Sequence, residues 1–160
     1  NTGFTTGGWG IGQKPVSGFE TYSIVDVAGW KGKALDITTV AWAGGTVPSA
    51  QIRRNVTVGT SSPISVGDVI EFTGKVKVLQ NSLPAGKRVQ VAMLFEGANV
   101  TVTAIDTNRT LDGTFHTRVT VPSGATSLRI QFLVPPDVDG TAQLRVGELN
   151  LRNLTKLGIV

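Results

Sequence analysis

The chain has 160 residues, 40% of them apolar and 16% charged, with 20 glycines, no cysteine and one histidine. These totals suit a single domain with a real core and exclude a charged disordered chain, a disulfide framework and a thiolate metal site, while His116 alone argues against zinc. A net charge of +4, from 15 Lys plus Arg against 11 acids, falls short of the dense basic stripe of a nucleic-acid binder. No apolar run nears the ~18 residues of a membrane span.

The chain begins at Asn1 rather than Met, which points to a trimmed product or a domain cut from a longer protein. Residues 1–18 are Gly-rich and leave little room for regular structure, with Phe4 and Trp9 as anchors. Residues 19–27 read as an early strand, and 33–42 as one or two more. Trp30 and Trp42 stand near strand ends. In residues 49–58, Ile52, Val56 and Val58 share one parity and Gln51, Arg53 and Asn55 the other. Residues 68–79 form the longest expected strand. Ile70, Phe72, Val76 and Val78 face in there, and Glu71, Thr73, Lys75 and Lys77 face out. Gly74 falls on the inward parity and marks a bulge or close packing.

Residues 88–96 and 99–106 predict a hairpin through Gly97. Residues 114–121, 126–134 and 141–151 then read as three consecutive antiparallel strands with one apolar face. The rest of the chain must supply the sheet that covers that face. In the last strand the apolar parity switches between Val146 and Leu149, as a β-bulge at Gly147-Glu148 would cause. No stretch of helical length has a 3.6-residue period. Many short strands with turns between them predict an all-β antiparallel jelly-roll β-sandwich occupying 1–160 as one domain. Its core takes Ile52, Phe72, Val76, Val89, Val91, Val119, Leu128, Ile130, Phe132, Leu144 and Val146. Residues 154–160 form an apolar tail.

Several short motifs resemble those of jelly-roll carbohydrate-binding modules of the family 4, 9, 16 and 22 type. Asn1-Thr2-Gly3-Phe4 with Trp9 resembles their opening, although Thr5 stands where Glu is usual. Val66-Gly67-Asp68-Val69-Ile70-Glu71-Phe72 resembles their turn into a long strand. Val146-Gly147-Glu148-Leu149-Asn150-Leu151 resembles their ending, with Gly and Glu in place of two Asp. In that family the acidic positions often help hold a structural calcium. Only Glu148 is left for that role, so no obligatory cofactor is expected. Thr6-Gly7-Gly8-Trp9-Gly10-Ile11-Gly12 is similar to segments of phage tail fibres. These resemblances imply an extracellular or virion protein that binds a polysaccharide or other glycan.

No nucleophile elbow, P-loop or His-Glu-x-x-His motif occurs, and the chain is read as not an enzyme. The outward parities are rich in Arg and Gln, which offer planar, multi-point hydrogen bonding to sugar hydroxyls and carboxylates. Two candidate sites follow. The favoured one is a sheet face made by Arg53, Gln90, Arg118, Arg129 and Gln131, provided their strands share a sheet. The other is a loop site with Trp30, Trp42 and Tyr22. Several Arg on one face would suit an anionic sugar. The alternative function is a structural virion domain. The tail, with Leu157, Ile159 and Val160, predicts a homo-oligomer, a trimer if the fibre resemblance holds.

Overall fold

The computed structural model describes residues 10–11, 20–40, 50–80, 83, 86–136 and 141–160. Among these described residues ten strands follow in chain order: β1 (Gly10–Ile11), β2 (Glu20–Asp26), β3 (Lys33–Val40), β4 (Ala50–Thr57) and β5 (Val69–Leu79), then β6 (Val89–Glu96), β7 (Val100–Thr107), β8 (Leu111–Thr120), β9 (Ser127–Val134) and β10 (Thr141–Asn153). They form two antiparallel five-stranded sheets, the first ordered β1-β4-β9-β6-β7 and the second β2-β3-β10-β5-β8. This is the expected all-β sandwich. Among the described residues no helix is long and apolar enough to cross a membrane. Phe4, Trp9 and Trp42 lie outside the described residues.

The core follows from the alternation. Leu128, Ile130, Phe132 and Val134 on β9 are buried, as are Val89, Val91, Met93 and Phe95 on β6. From the second sheet, Ile70, Phe72, Val76 and Val78 of β5 and Leu144 and Val146 of β10 meet them. Each such side chain contributes about 1.5–3 kcal/mol. All the expected core residues are buried, except that Val119 is only partly so. Gly74 marks close packing. A Cβ there would stand 2.6 Å from Leu149 Cδ2 and 2.7 Å from Phe115 Cζ. The bulge on β10 also falls where the parity switched, with the β5 register shifting between Gly147 and Asn150.

One expectation fails. The last three strands do not make one sheet: β8 is an edge of the second, β9 lies inside the first, and β10 lies inside the second. The β8–β9 link, 121–126, crosses from one sheet to the other. Val121 and Ala125 are buried in it, and its backbone is tied to the 65–68 turn by Val121 N donating to Asp68 O (2.8 Å). Alternation reports which face of a strand is buried, and is blind to the strand's partner.

Candidate functional site

The outer face of the first sheet gathers polar side chains from three strands far apart in sequence. On β4 these are Gln51, Arg53 and Asn55; on β9, Arg129 and Gln131; on β6, Gln90. Arg53 pairs in register with Gln131, and Asn55 with Arg129. Gln51 Nε2 donates to Gln131 Oε1 at 3.2 Å. Four of the five expected sheet-face residues, Arg53, Gln90, Arg129 and Gln131, therefore do share a sheet and a face.

Arg118 does not join them. It lies on β8, opposite Glu71 in the second sheet, because β8 and β9 belong to different sheets. There it is one of three groups around a single carboxylate. Glu71 accepts from Arg152 Nε (2.9 Å) and lies 2.8 Å from His116 Nε2 and 3.7 Å from Arg118 Nη2. Although it faces outward, Glu71 is only 4% exposed, covered by these longer side chains. The Arg152 hydrogen bond, and then the His116 one, hold its carboxyl below the usual range. A second cluster lies on the same face, where Asp36 accepts from Arg145 Nε (2.9 Å) and Gln143 Nε2 (3.1 Å).

Charge on the first face is also largely matched. Arg129 donates to Glu96, which also accepts from Ser127 Oγ. The Ser127 hydrogen bond, followed by the charges of Arg129 and Arg53, keeps the Glu96 carboxyl low. Arg88 lies 3.6 Å from Asp106. Mutual repulsion among arginines is therefore not the force that shapes this face, because Glu96 and Asp106, which the parity pattern did not weigh, pair with Arg129 and Arg88.

Trp30 sits in the β2–β3 turn and lies on the second sheet's outer face. It is half-buried and borders a cleft of about 300 Å³ with Lys75, Lys77, Asp112 and Thr114. Tyr22 is not a loop residue. Its β2 position pairs with the buried Ile37, its ring packs on the core, and burial pushes its pKa up to about 12. Trp30 and Tyr22 thus do not form one site.

Glu148 serves the backbone and a lysine. It sits at the bulge with φ 49°, accepts from Lys31 N (2.6 Å) and pairs with Lys75 Nζ at 2.8 Å. The Lys75 hydrogen bond, then the Lys31 one, lowers its carboxyl. Both contacts fall on Oε1, and with Gly147 beside it Glu148 is a single carboxylate where calcium takes about six to eight oxygens. Among the described residues no cluster of three metal-ligating side chains occurs.

No protein-family model matches the sequence, and no curated protein matches it. Solved structures do match in fold. A family 4 carbohydrate-binding module superposes with a TM-score of 0.50 at 16% identity, over 91% of this chain and 94% of that one. The enzymatically active domain of tailspike protein 4 of bacteriophage CBA120 superposes with a TM-score of 0.58 at 11% identity, over 92% of this chain. This chain spans only 19% of the length of that solved tailspike chain. The C-terminal family 22 carbohydrate-binding module of Clostridium thermocellum Xyn10B gives a TM-score of 0.45 at 13% identity, over 89% of this chain and 86% of that one. At such identities the likeness is one of fold: the chain is a β-sandwich of the form found in a family 4 carbohydrate-binding module and within a phage tailspike.

Proposed function

We propose that this domain is a non-catalytic carbohydrate-binding domain of an extracellular or virion protein, with its glycan on the outer face of the first sheet. One observation carries the reading. Gln51, Arg53, Gln90, Arg129 and Gln131 converge on that face from three strands. Planar amide and guanidinium groups lying side by side match the paired hydroxyls of a sugar chain. Arg129 is held by Glu96, which leaves Arg53 as the cation best placed to meet a sugar carboxylate. The ligand class is accordingly a bacterial polysaccharide carrying uronic or sialic acids. A charge-assisted hydrogen bond is worth about 1.5–3 kcal/mol. Arg53→Ala should therefore weaken binding tenfold or more, with melting nearly unchanged, and binding should fall with salt. The check is an array of neutral and acidic polysaccharides followed by titration calorimetry. Silence across the array, or equal affinity of the parent and Arg53→Ala, would overturn this reading. Turnover of a polysaccharide by the isolated domain would replace the non-catalytic assignment.

The C-terminal tail favours a second property, self-association. Leu154 is buried and residues 154–158 form a turn, with Ile159 N donating to Leu154 O (3.0 Å) and Lys156 Nζ to Ser62 O (2.6 Å). On this tied-down segment Leu157, Ile159 and Val160 stay more than half exposed, and Val66 is half exposed as well. Water contact with so much apolar surface is relieved by a second copy of the chain, and a fibre context favours three. Light scattering of a chain lacking 157–160 should give a folded monomer. An unchanged mass would count against self-association through the tail.

A further inference from the structure

We propose that the second sheet carries a separate site for a neutral sugar ring, in the cleft between Trp30 and the edge strand β8. It goes beyond the first-sheet site, since it uses the opposite side of the sandwich and none of the same residues.

The seat of Trp30 is built into the sheet. Gly147 and Ala34 occupy outward positions, next to Arg145 and Asp36 in the alternation. A Cβ on Gly147 would stand 2.9 Å from Trp30 Cε3, so only glycine leaves room for the ring. Ala34 is fully buried although it faces outward. The loop that bears the indole is fastened from three sides. Trp30 N donates to Val27 O (3.0 Å), Lys75 Nζ to Gly29 O (3.1 Å) and Lys31 N to Glu148 Oε1 (2.6 Å). Glu148 reaches Lys31 from a left-handed backbone that non-glycine residues seldom adopt. Strain of that kind gathers where a geometry is held for use. An aromatic platform fixed before binding spares the cost of ordering it.

Beside the platform the cleft is polar but charge-balanced. Lys75 is committed to Glu148 (2.8 Å) and Lys77 to Asp112 (3.1 Å). An anion would have to displace these carboxylates, and a cation these ammoniums. A neutral ligand displaces neither. Lys77 and Asp112 set a donor beside an acceptor, which suits vicinal hydroxyls, and Thr114 adds a group of both kinds. The indole suits the apolar C–H face of a pyranose. A volume of about 300 Å³ is at the small end for ligand sites and gives room for one ring.

The test is titration of the whole domain with cellohexaose, xylohexaose, mannohexaose and laminarihexaose, up to about 10 mM so that millimolar sites register. The readout is the indole N–H resonance of Trp30, assigned by its loss in Trp30→Phe. At least one sugar should shift that resonance. Gly147→Val, which evicts the ring from its seat, should weaken that binding about tenfold or more. Asp112→Asn at the rim should also weaken it, while Arg53→Ala on the opposite face should leave it unchanged. No shift with any of the four sugars would overturn the proposal, as would a shift that survives both Gly147→Val and Asp112→Asn, or one that Arg53→Ala abolishes. Failure of the first-sheet site leaves the Trp30 resonance unaffected, so the two readings fail separately.

Discussion

On the outer face of the first sheet, Arg53 and Gln131 lie side by side with Gln51 bonded to Gln131. On the outer face of the second, Glu71 is covered by His116, Arg118 and Arg152, and Asp36 by Arg145 and Gln143. Residue types are similar on both. The difference is in what their hydrogen-bonding groups already meet. A guanidinium bound to a buried carboxylate has fewer donors left for a ligand, and moving it uncovers a charge. Amides paired with one another exchange partners with sugar hydroxyls at little cost. A polar face is therefore read by its acids as much as by its arginines.

Both faces rest on one core, so the largest effect comes from charging that core. Phe132→Asp puts a carboxylate at a fully buried β9 position and should abolish folding, seen as loss of a cooperative melt and of strand circular dichroism. Ile130→Asp, two residues away, should be milder. Ile130 pairs across the sheet with Arg54, which stands on the inward parity of β4, and both line a cleft of about 270 Å³. A carboxylate there gains a cationic neighbour and an outlet to water. Equal loss of folding in the two variants would contradict that account of the cleft.

A smaller effect separates two glycines of the second sheet. Gly74→Ala drives a methyl into Leu149 and Phe115, and overpacking of this kind costs about 1–3 kcal/mol. Gly113, one strand away on β8, has nothing within 4 Å of the same methyl, so Gly113→Ala should change the denaturation midpoint little. If the two variants melt together, the packing of Phe115 over Gly74 is not as described.

Acid should act next, and two of the carboxylates it reaches lie on the second sheet. Hydrogen bonds from Arg152 and His116 lower the Glu71 carboxyl, and those from Lys75 and Lys31 lower Glu148. A carboxylate depressed in the folded state adds stability above its unfolded pKa of about 4.3, and that stability is lost as pH falls through the folded value. The melting temperature should hold from neutral pH to about pH 5 and then drop below about pH 4. Glu71→Gln should melt lower at neutral pH and converge with the parent in acid. Parallel curves for the two proteins would show that the Glu71 cluster adds nothing.

These contrasts also mark what the sequence could tell. The inward parities of β5 and β9, the tight site at Gly74 and the bulge at Gly147 were legible because each is a local break or run of alternation. Sheet membership was not. Nothing in residues 114–121 or 126–134 records that the link between them crosses the core, and so alternation alone groups Arg118 with Arg129. Glu71 read correctly as outward, but its burial depends on three cationic or imidazole neighbours, two on β8 and β10 and the third also on β8. The seat of Trp30 left one faint signal, an alanine and a glycine on outward parities of two strands that turn out to be neighbours.

The smallest expected effect is the one that most sharply divides the faces. Arg118→Ala removes a guanidinium that is about half exposed and 3.7 Å from Glu71. With the guanidinium in solvent and no hydrogen bond to Glu71, the contact is worth about 0–1 kcal/mol, because solvent screens it and ordering the side chain offsets much of the gain. His116 and Arg152 remain to cover the carboxylate. Stability should therefore barely move. Binding of an acidic polysaccharide at the first sheet should not move either, since β8 lies in the other sheet. Arg53→Ala in the same assay should lose tenfold or more. The pair of variants places the ligand directly. Loss with Arg53→Ala alone puts it on the first face, and loss with Arg118→Ala alone puts it on the second, where a sugar carboxylate would have to compete with Glu71 for the same guanidinium.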